Sequence, residues 1–95
     1  MLPEASLPVV LSSLRQGDAA TVVDIDDHAS AAQIARLASR GLVPGANLQV
    51  LRSGDPMLVL CDDSRWALTR ADAAGIHVRC GKASLARRLR SLLLP

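Results

Sequence analysis

Four residues in the second half of the chain carry side chains that bind transition metals. They are Cys61, Asp63, His77 and Cys80. Thiolate and imidazole groups suit Zn²⁺ and Fe²⁺, and carboxylates can complete such a site. A structural zinc site normally presents paired Cys or His ligands at short spacing on two segments. Neither the cluster of Cys61 with Asp63 nor the pair His77 and Cys80 has this arrangement. We therefore expect strand and loop roles for these residues and no required cofactor, with a surface-bound Fe²⁺ or Zn²⁺ as the alternative.

The other chemically capable residues form no recognisable catalytic set. Asp24, Asp26, Asp27 and His28 make an acidic cluster that we interpret as loop and helix-capping residues. The chain has no phosphate-binding loop of the Gly-x-x-x-x-Gly-Lys type. General acid and base chemistry also needs a pocket, which a domain of this size rarely provides. The sequence predicts a protein that is not an enzyme.

The composition indicates one folded domain with an aliphatic core. Of the 95 residues, 49% are hydrophobic and 21% are charged, and Trp66 is the one aromatic residue. A single aromatic ring cannot line a polyproline groove or stack a series of bases. We therefore expect neither polyproline recognition nor specific nucleic-acid binding.

The elements that position these residues are mostly short strands. Alternating or apolar runs bounded by turn residues predict five strands, at 20–25, 47–52, 57–61, 65–69 and 76–78. Short strands at spacings near ten residues favour a small antiparallel barrel. A short α-helix is inserted after the first strand, and a C-terminal helix is predicted after the last. The expected fold class is mostly β, with residues 1–10 as a leader, 11–79 as the barrel and 80–95 as a basic tail.

The inserted helix is the clearest local prediction. Asp27 or Ser30 can cap its N-terminus, and Gly41 suits its C-cap after Arg40. Pro44-Gly45 then has the residue types of a type II turn. Apolar residues recur at helical spacing and predict a stripe facing the core, with Gln33, Arg36 and Arg40 in solvent. The stripe consists of Ala31, Ile34, Leu37 and Ala38.

Charge is unevenly distributed along the chain. Residues 1–78 contain six arginines against nine acidic residues, whereas residues 79–95 contain five basic residues and no acidic one. Ser84 can cap a tail helix with leucines on one face and arginines on the other. We expect those leucines to pack on the barrel. The alternative is an element that docks on an acidic partner or on anionic lipid, which allows at most peripheral membrane contact.

The order and spacing of several motifs resemble the FeoA family. The motifs are Leu14-x-x-Gly17, Arg36-Leu37, Gly41-Leu42-Val43-Pro44-Gly45, Val50 with Arg52, Gly54-Asp55-Pro56, and Leu68 with Ala71, Ala74, Ile76 and Val78. The resemblance covers about residues 11–78. It implies an SH3-like barrel and a small cytoplasmic protein that accompanies FeoB, the bacterial ferrous iron transporter. The cysteines are then expected as reduced thiols.

The function that the resemblance implies is that of a non-enzymatic accessory protein in ferrous iron uptake. It would bind the cytosolic part of the transporter, either the GTPase domain or the membrane part, and modulate its GTPase activity or its assembly. Our hypothesis for the contact surface is the helix with the following turn and the hairpin around Asp62, because loops on rigid scaffolds commonly carry contacts. The residues are Arg36, Leu37, Arg40, Leu42, Val43, Pro44 and Gly45. The alternative function is a metal-responsive regulatory domain that binds iron or zinc, and a weak homo-oligomer is compatible with both.

Overall fold

The computed structural model describes residues 8–81, which form one antiparallel sheet with short helices packed against it. The C-terminal helix predicted in the tail, and residues 1–7 of the leader, lie outside the described residues. The elements in chain order are β1 (Val9–Val10), a 3-10 turn (Leu11–Ser13), β2 (Ala19–Ile25), α1 (Ala31–Ser39), β3 (Asn47–Arg52), β4 (Met57–Cys61), β5 (Ser64–Leu68), α2 (Arg70–Ala74) and β6 (Ile76–Cys80).

The predicted strands are all present, and their bounds agree within two residues. The mostly-β class is confirmed, but the sheet has six strands rather than five. The additional strand is β1, where Val9 pairs with Val78 and Val10 with His77. Two residues are too few to show an alternating pattern. Consequently, residues 9 and 10 belong to the sheet and not to the leader, and Cys80, assigned to the tail, ends β6.

The sheet order is β1-β6-β2-β3-β4-β5, so the first and last of the described strands lie next to each other. Register shifts occur after Val22 in β2 and after Val50 in β3. Such irregularities increase the local twist and let a sheet curl over a core. No helix between residues 8 and 81 is long and apolar enough to span a lipid bilayer.

The core is aliphatic, as the composition predicts. Its fully buried large side chains come from the strands and from single positions in the connecting segments. They include Leu11, Leu37, Leu42, Val50, Met57, Val59, Leu68, Ile76 and Val78. β4 shows the clearest alternation, because its first, third and fifth residues are buried.

A buried carboxylate stabilises the turn that leads into β2. Asp18 is 1% exposed, and its Oδ2 accepts the backbone N–H of Arg15 at 2.8 Å. The backbone of the same turn is tied to β3, because Gly17 N–H donates to the Val50 carbonyl and Val50 N–H donates to the Asp18 carbonyl. Buried polar groups are stable when they are hydrogen-bonded in this way.

α1 packs on the barrel through Leu37, but the other residues of the expected apolar stripe are exposed. Ser30 caps it by accepting the N–H of Gln33, which confirms one of the two predicted caps. Leu37 is its one buried residue. Ile34 is 44% exposed, and the alanines at 31 and 38 are also exposed. The predicted inward stripe is therefore confirmed at Leu37 and wrong at Ala31, Ile34 and Ala38.

The reason for this orientation is Asp72 of α2, which is 5% exposed. Its Oδ1 accepts hydrogen bonds from Gln33 Nε2 at 3.1 Å and from Arg36 NH2 at 2.8 Å. An unpaired buried carboxylate would be costly, so the donors of α1 must face α2. Gln33, Arg36 and Leu37 share one face because they are three and four positions apart. Leu37 and the donor groups of Gln33 and Arg36 therefore face the barrel and α2, whereas Ala31, Ile34 and Ala38 are exposed.

We predict that Asp72→Ala loosens α1 and lowers the free energy of unfolding by about 1–3 kcal/mol, since two donors lose their acceptor. Denaturant unfolding measures this loss. Asp72→Asn is the matched control, because it retains an acceptor oxygen and should lose less. Equal stability of Asp72→Ala and the wild type would contradict the role assigned to this carboxylate.

Candidate interaction surface

The most exposed large hydrophobic side chains in the described part of the chain lie close together in sequence. Ile34 of α1 is 44% exposed and Val43 of the following turn is 41% exposed. Pro44 and Gly45 are exposed beside Val43. We call the outward face of α1 together with Val43, Pro44 and Gly45 the helix–turn surface. Because interaction sites are commonly apolar, these exposed residues make the helix–turn surface the candidate contact in the described part of the chain.

Two of the predicted contact residues are instead part of the core. Leu37 is fully buried and Leu42 is 1% exposed. A charged residue at position 42 would therefore disrupt the barrel, contrary to the expectation that this side chain is exposed. Leu37 and Leu42 contribute to the helix–turn surface only indirectly, because they anchor α1 and the turn in the core.

Backbone hydrogen bonds hold the turn on the rigid sheet. Gly41 has a φ of +81°, and Leu42 N–H donates to the Leu37 carbonyl at 3.0 Å. Gly45 has a φ of +93°, and Ala46 N–H donates to the Val43 carbonyl at 2.9 Å. A positive φ at the third residue of this turn agrees with the predicted type II turn.

The same turn is bonded to β2 in both directions. Gly45 N–H donates to the Val22 carbonyl at 2.8 Å, and Val22 N–H donates to the Ala46 carbonyl at 2.8 Å. Val22 itself is buried. The backbone of the turn is thus fixed to β2, and this holds the exposed side chains of the turn in place.

Arg36 and Arg40 extend from the other side of α1. Arg36 is bound to Asp72, and its side chain remains 46% exposed. The guanidinium of Arg40 lies over the ring of Trp66 in β5, 5.4 Å from the ring centroid. A cation over an indole ring at this distance is attracted to its π face. The indole Nε1 of Trp66 is buried and has no hydrogen-bond partner among residues 8–81.

Trp66 is the residue of this site that sequence reasoning missed. Arg40 and Trp66 are far apart along the chain, and no local pattern links a helix terminus to a later strand. The only available signal was that Trp66 is the single aromatic residue. Tryptophan is the best cation–π partner among the side chains, but the sequence does not show which arginine lies over it.

The predicted metal ligands are distributed over different strands. Cys61 ends β4 opposite Leu48 of β3, whereas Cys80 ends β6 opposite Ala20 of β2. Asp63 lies in the β4–β5 turn. His77 Nδ1 lies 3.0 Å from Asp24 Oδ1 on the neighbouring strand. Among residues 8–81, no group of three or more Cys, His, Asp or Glu residues is placed to hold a metal ion.

The environment of Cys61 disfavours its thiolate form. The residue is 1% exposed, where a half-buried position was expected. Burial raises the pKa of the Cys61 thiol above its usual value of 9.0, and the negative charge of Asp62 raises it further. The Sγ atom lies 3.7 Å from the Gly41 carbonyl oxygen as a weak donor. A metal ion would have to displace this proton before Cys61 could bind it.

Solved structures of FeoA proteins resemble this fold closely. A crystal structure of an iron uptake regulatory protein, FeoA, is 32% identical, with 79% of this chain and 100% of that chain covered and a TM-score of 0.73. FeoA from Chlorobium tepidum is 40% identical, with 76% of this chain and 70% of that chain covered and a TM-score of 0.70. FeoA from Stenotrophomonas maltophilia, an SH3 domain protein solved in complex with zinc, is 30% identical, with 80% and 93% covered and a TM-score of 0.65.

Sequence comparison leads to the same family. No curated protein matches the chain. The FeoA domain model matches residues 9–80, which are the residues from the start of β1 to the end of β6. With its SH3-like barrel and this match over most of its length, the chain belongs to the FeoA family.

Proposed function

We propose that this protein is a cytoplasmic, non-enzymatic accessory protein of ferrous iron uptake that binds the cytosolic part of a FeoB-like transporter. Membership of the FeoA family supports the role in ferrous iron transport. The observation that carries the binding proposal is the exposure of Ile34 in α1 and of Val43 in the turn that follows it. The effect of binding is to modulate the GTPase activity of the transporter or its assembly.

The helix–turn surface has the construction of a protein contact. Its centre is apolar and its edge carries the guanidinium groups of Arg36 and Arg40. Arginine at the rim of an apolar patch is common in protein interfaces, because it combines packing with polar contacts. α1 is held by Asp72 and the turn by β2, so little conformational freedom is lost on binding. A partner with an apolar groove and acidic residues beside it would match this surface.

We predict that Ile34→Glu weakens binding to the cytosolic domain of the transporter at least tenfold. A charge at the centre of the contact would have to be buried without a partner. Calorimetric titration with parallel measurement of GTP hydrolysis would detect the loss. A rate that changes with binding would indicate regulation of the GTPase, and an unchanged rate would indicate assembly.

Gln49→Glu is the matched control, since Gln49 is exposed on β3 outside this surface. It should bind like the wild type. Leu42→Glu should lose cooperative unfolding, because Leu42 is in the core. If Ile34→Glu binds as well as Gln49→Glu, the helix–turn surface is not the contact. If the wild type itself does not bind the cytosolic domain, the membrane part becomes the expected partner.

Binding of Fe²⁺ or Zn²⁺ at the surface stays a separate prediction. The raised pKa of the Cys61 thiol disfavours metal binding there, because the ion must displace the thiol proton. We predict that iodoacetamide alkylates Cys80 at least tenfold faster than Cys61 in the folded protein, because the thiolate is the reactive form and Cys61 is buried. Mass spectrometry of the two peptides measures the rates, and alkylation in denaturant provides the control.

The same experiment with zinc tests the regulatory alternative. Zinc that survives dialysis in stoichiometric amount and protects Cys61 from alkylation would favour a metal-responsive domain. Alkylation of Cys61 as fast as that of Cys80 in the metal-free protein would contradict the pKa argument.

A further inference from the structure

One edge of the sheet is formed by β5, which pairs only with β4 in the described part of the chain. The two strands are joined by a two-residue turn, Asp62-Asp63, between the paired residues Cys61 and Ser64. Both turn residues have positive φ, +51° and +64°. These values are typical of the type I′ turn that closes a tight hairpin.

The turn determines which backbone groups of β5 are bonded to β4. In a two-residue hairpin the residues that flank the turn form a hydrogen-bonded pair, and bonded and non-bonded pairs then alternate. Trp66, two residues beyond Ser64, therefore has its N–H and C=O directed at β4. Arg65 and Ala67 have theirs directed away from the sheet. Within residues 8–81 these four outward groups have no hydrogen-bond partner, and both residues are exposed.

We propose that β5 pairs antiparallel with β5 of a second copy of this chain, with Trp66 on the two-fold axis. Arg65 then lies opposite Ala67 of the second copy. This register forms four backbone hydrogen bonds and satisfies all the outward groups of both strands. A two-fold axis through an edge strand makes the contact closed and self-complementary.

Charge and side-chain packing favour this register over its neighbours. An axis through Arg65 would place two arginines opposite each other, which is unfavourable. An axis through Ala67 would leave the outward groups of Arg65 beyond the end of the facing strand. With the axis at Trp66, the acidic Asp62-Asp63 turn lies beside the start of α2 in the second copy. Arg70 is exposed there, so opposite charges meet at both ends of the contact.

The interface also brings the two Trp66 side chains together as a cross-strand aromatic pair. The paired strands are only five residues long, so the buried area is small and the association is weak, in the micromolar to millimolar range. Because the terminal contacts are between exposed charges, salt should weaken it. The outward face of α1 takes no part in the strand pairing. Dimerisation is thus a property separate from transporter binding.

Sedimentation equilibrium from micromolar to millimolar concentration should show a reversible monomer–dimer equilibrium. Ala67→Pro should weaken it at least tenfold. Proline removes the N–H that donates across the axis, and it is tolerated on an edge strand where that N–H faces outward. Ala67→Val retains the N–H and should dimerise as the wild type does. Arg70→Glu should also weaken the dimer at least tenfold, since it sets a second acidic side chain beside Asp62.

Hydrogen exchange gives a test that does not require a variant. The amides of Arg65 and Ala67 should become protected as the concentration rises, while the amide of Trp66, bonded to β4 in the monomer, should not change. A chain that stays monomeric at millimolar concentration would overturn the proposal. So would dimerisation unaffected by both Ala67→Pro and Arg70→Glu, or protection of the two edge amides only when a transporter domain is added.

Discussion

The arrangement of this protein depends on the burial of one carboxylate. Asp72 lies at 5% exposure in a five-residue helix and accepts hydrogen bonds from Gln33 and Arg36. A buried charge is stable only when it is paired and hydrogen-bonded. This requirement outweighs the small gain from burying alanine side chains. It leaves Ile34 and the alanines of α1 exposed while Leu37 stays buried, and the helix–turn surface follows from it.

The helix–turn surface is exposed, but it is attached to the core and to the sheet. Leu37, near the end of α1, and Leu42, next to Val43, are both buried. The turn is bonded to Val22 on both sides. Side chains that a partner can contact are therefore connected, through one or two residues, to the aliphatic core. A loop held in this way provides contacts with little loss of entropy.

Arg40 connects the helix to the open edge of the sheet. Its guanidinium covers Trp66 on β5, whose backbone is bonded to β4 while its two neighbours direct their backbone groups outward. β1 pairs with β6, which joins the first and last of the described strands, but no described strand pairs with the free side of β5. Natural proteins usually protect such an edge, with charges, short strands or an added strand. Here the strand is short and carries Arg65, which leaves the edge available to a matching partner strand.

The strand pattern and turn chemistry by themselves determined most of the fold. The alternation in β3, the continuous apolar run of β4, the capping Ser30 and the Pro44-Gly45 turn are local signals, and the structure has each of them. The family resemblance followed from the order of those signals. Tertiary structure alone decided β1, since two residues become a strand only when β6 is beside them. It also decided which face of α1 is exposed, because Asp72 is more than 30 residues away from its donors, and the helical period is the same for either orientation. Tertiary structure likewise decided the burial of Leu42 and Cys61, because local sequence shows that a residue is apolar but only packing shows what covers it.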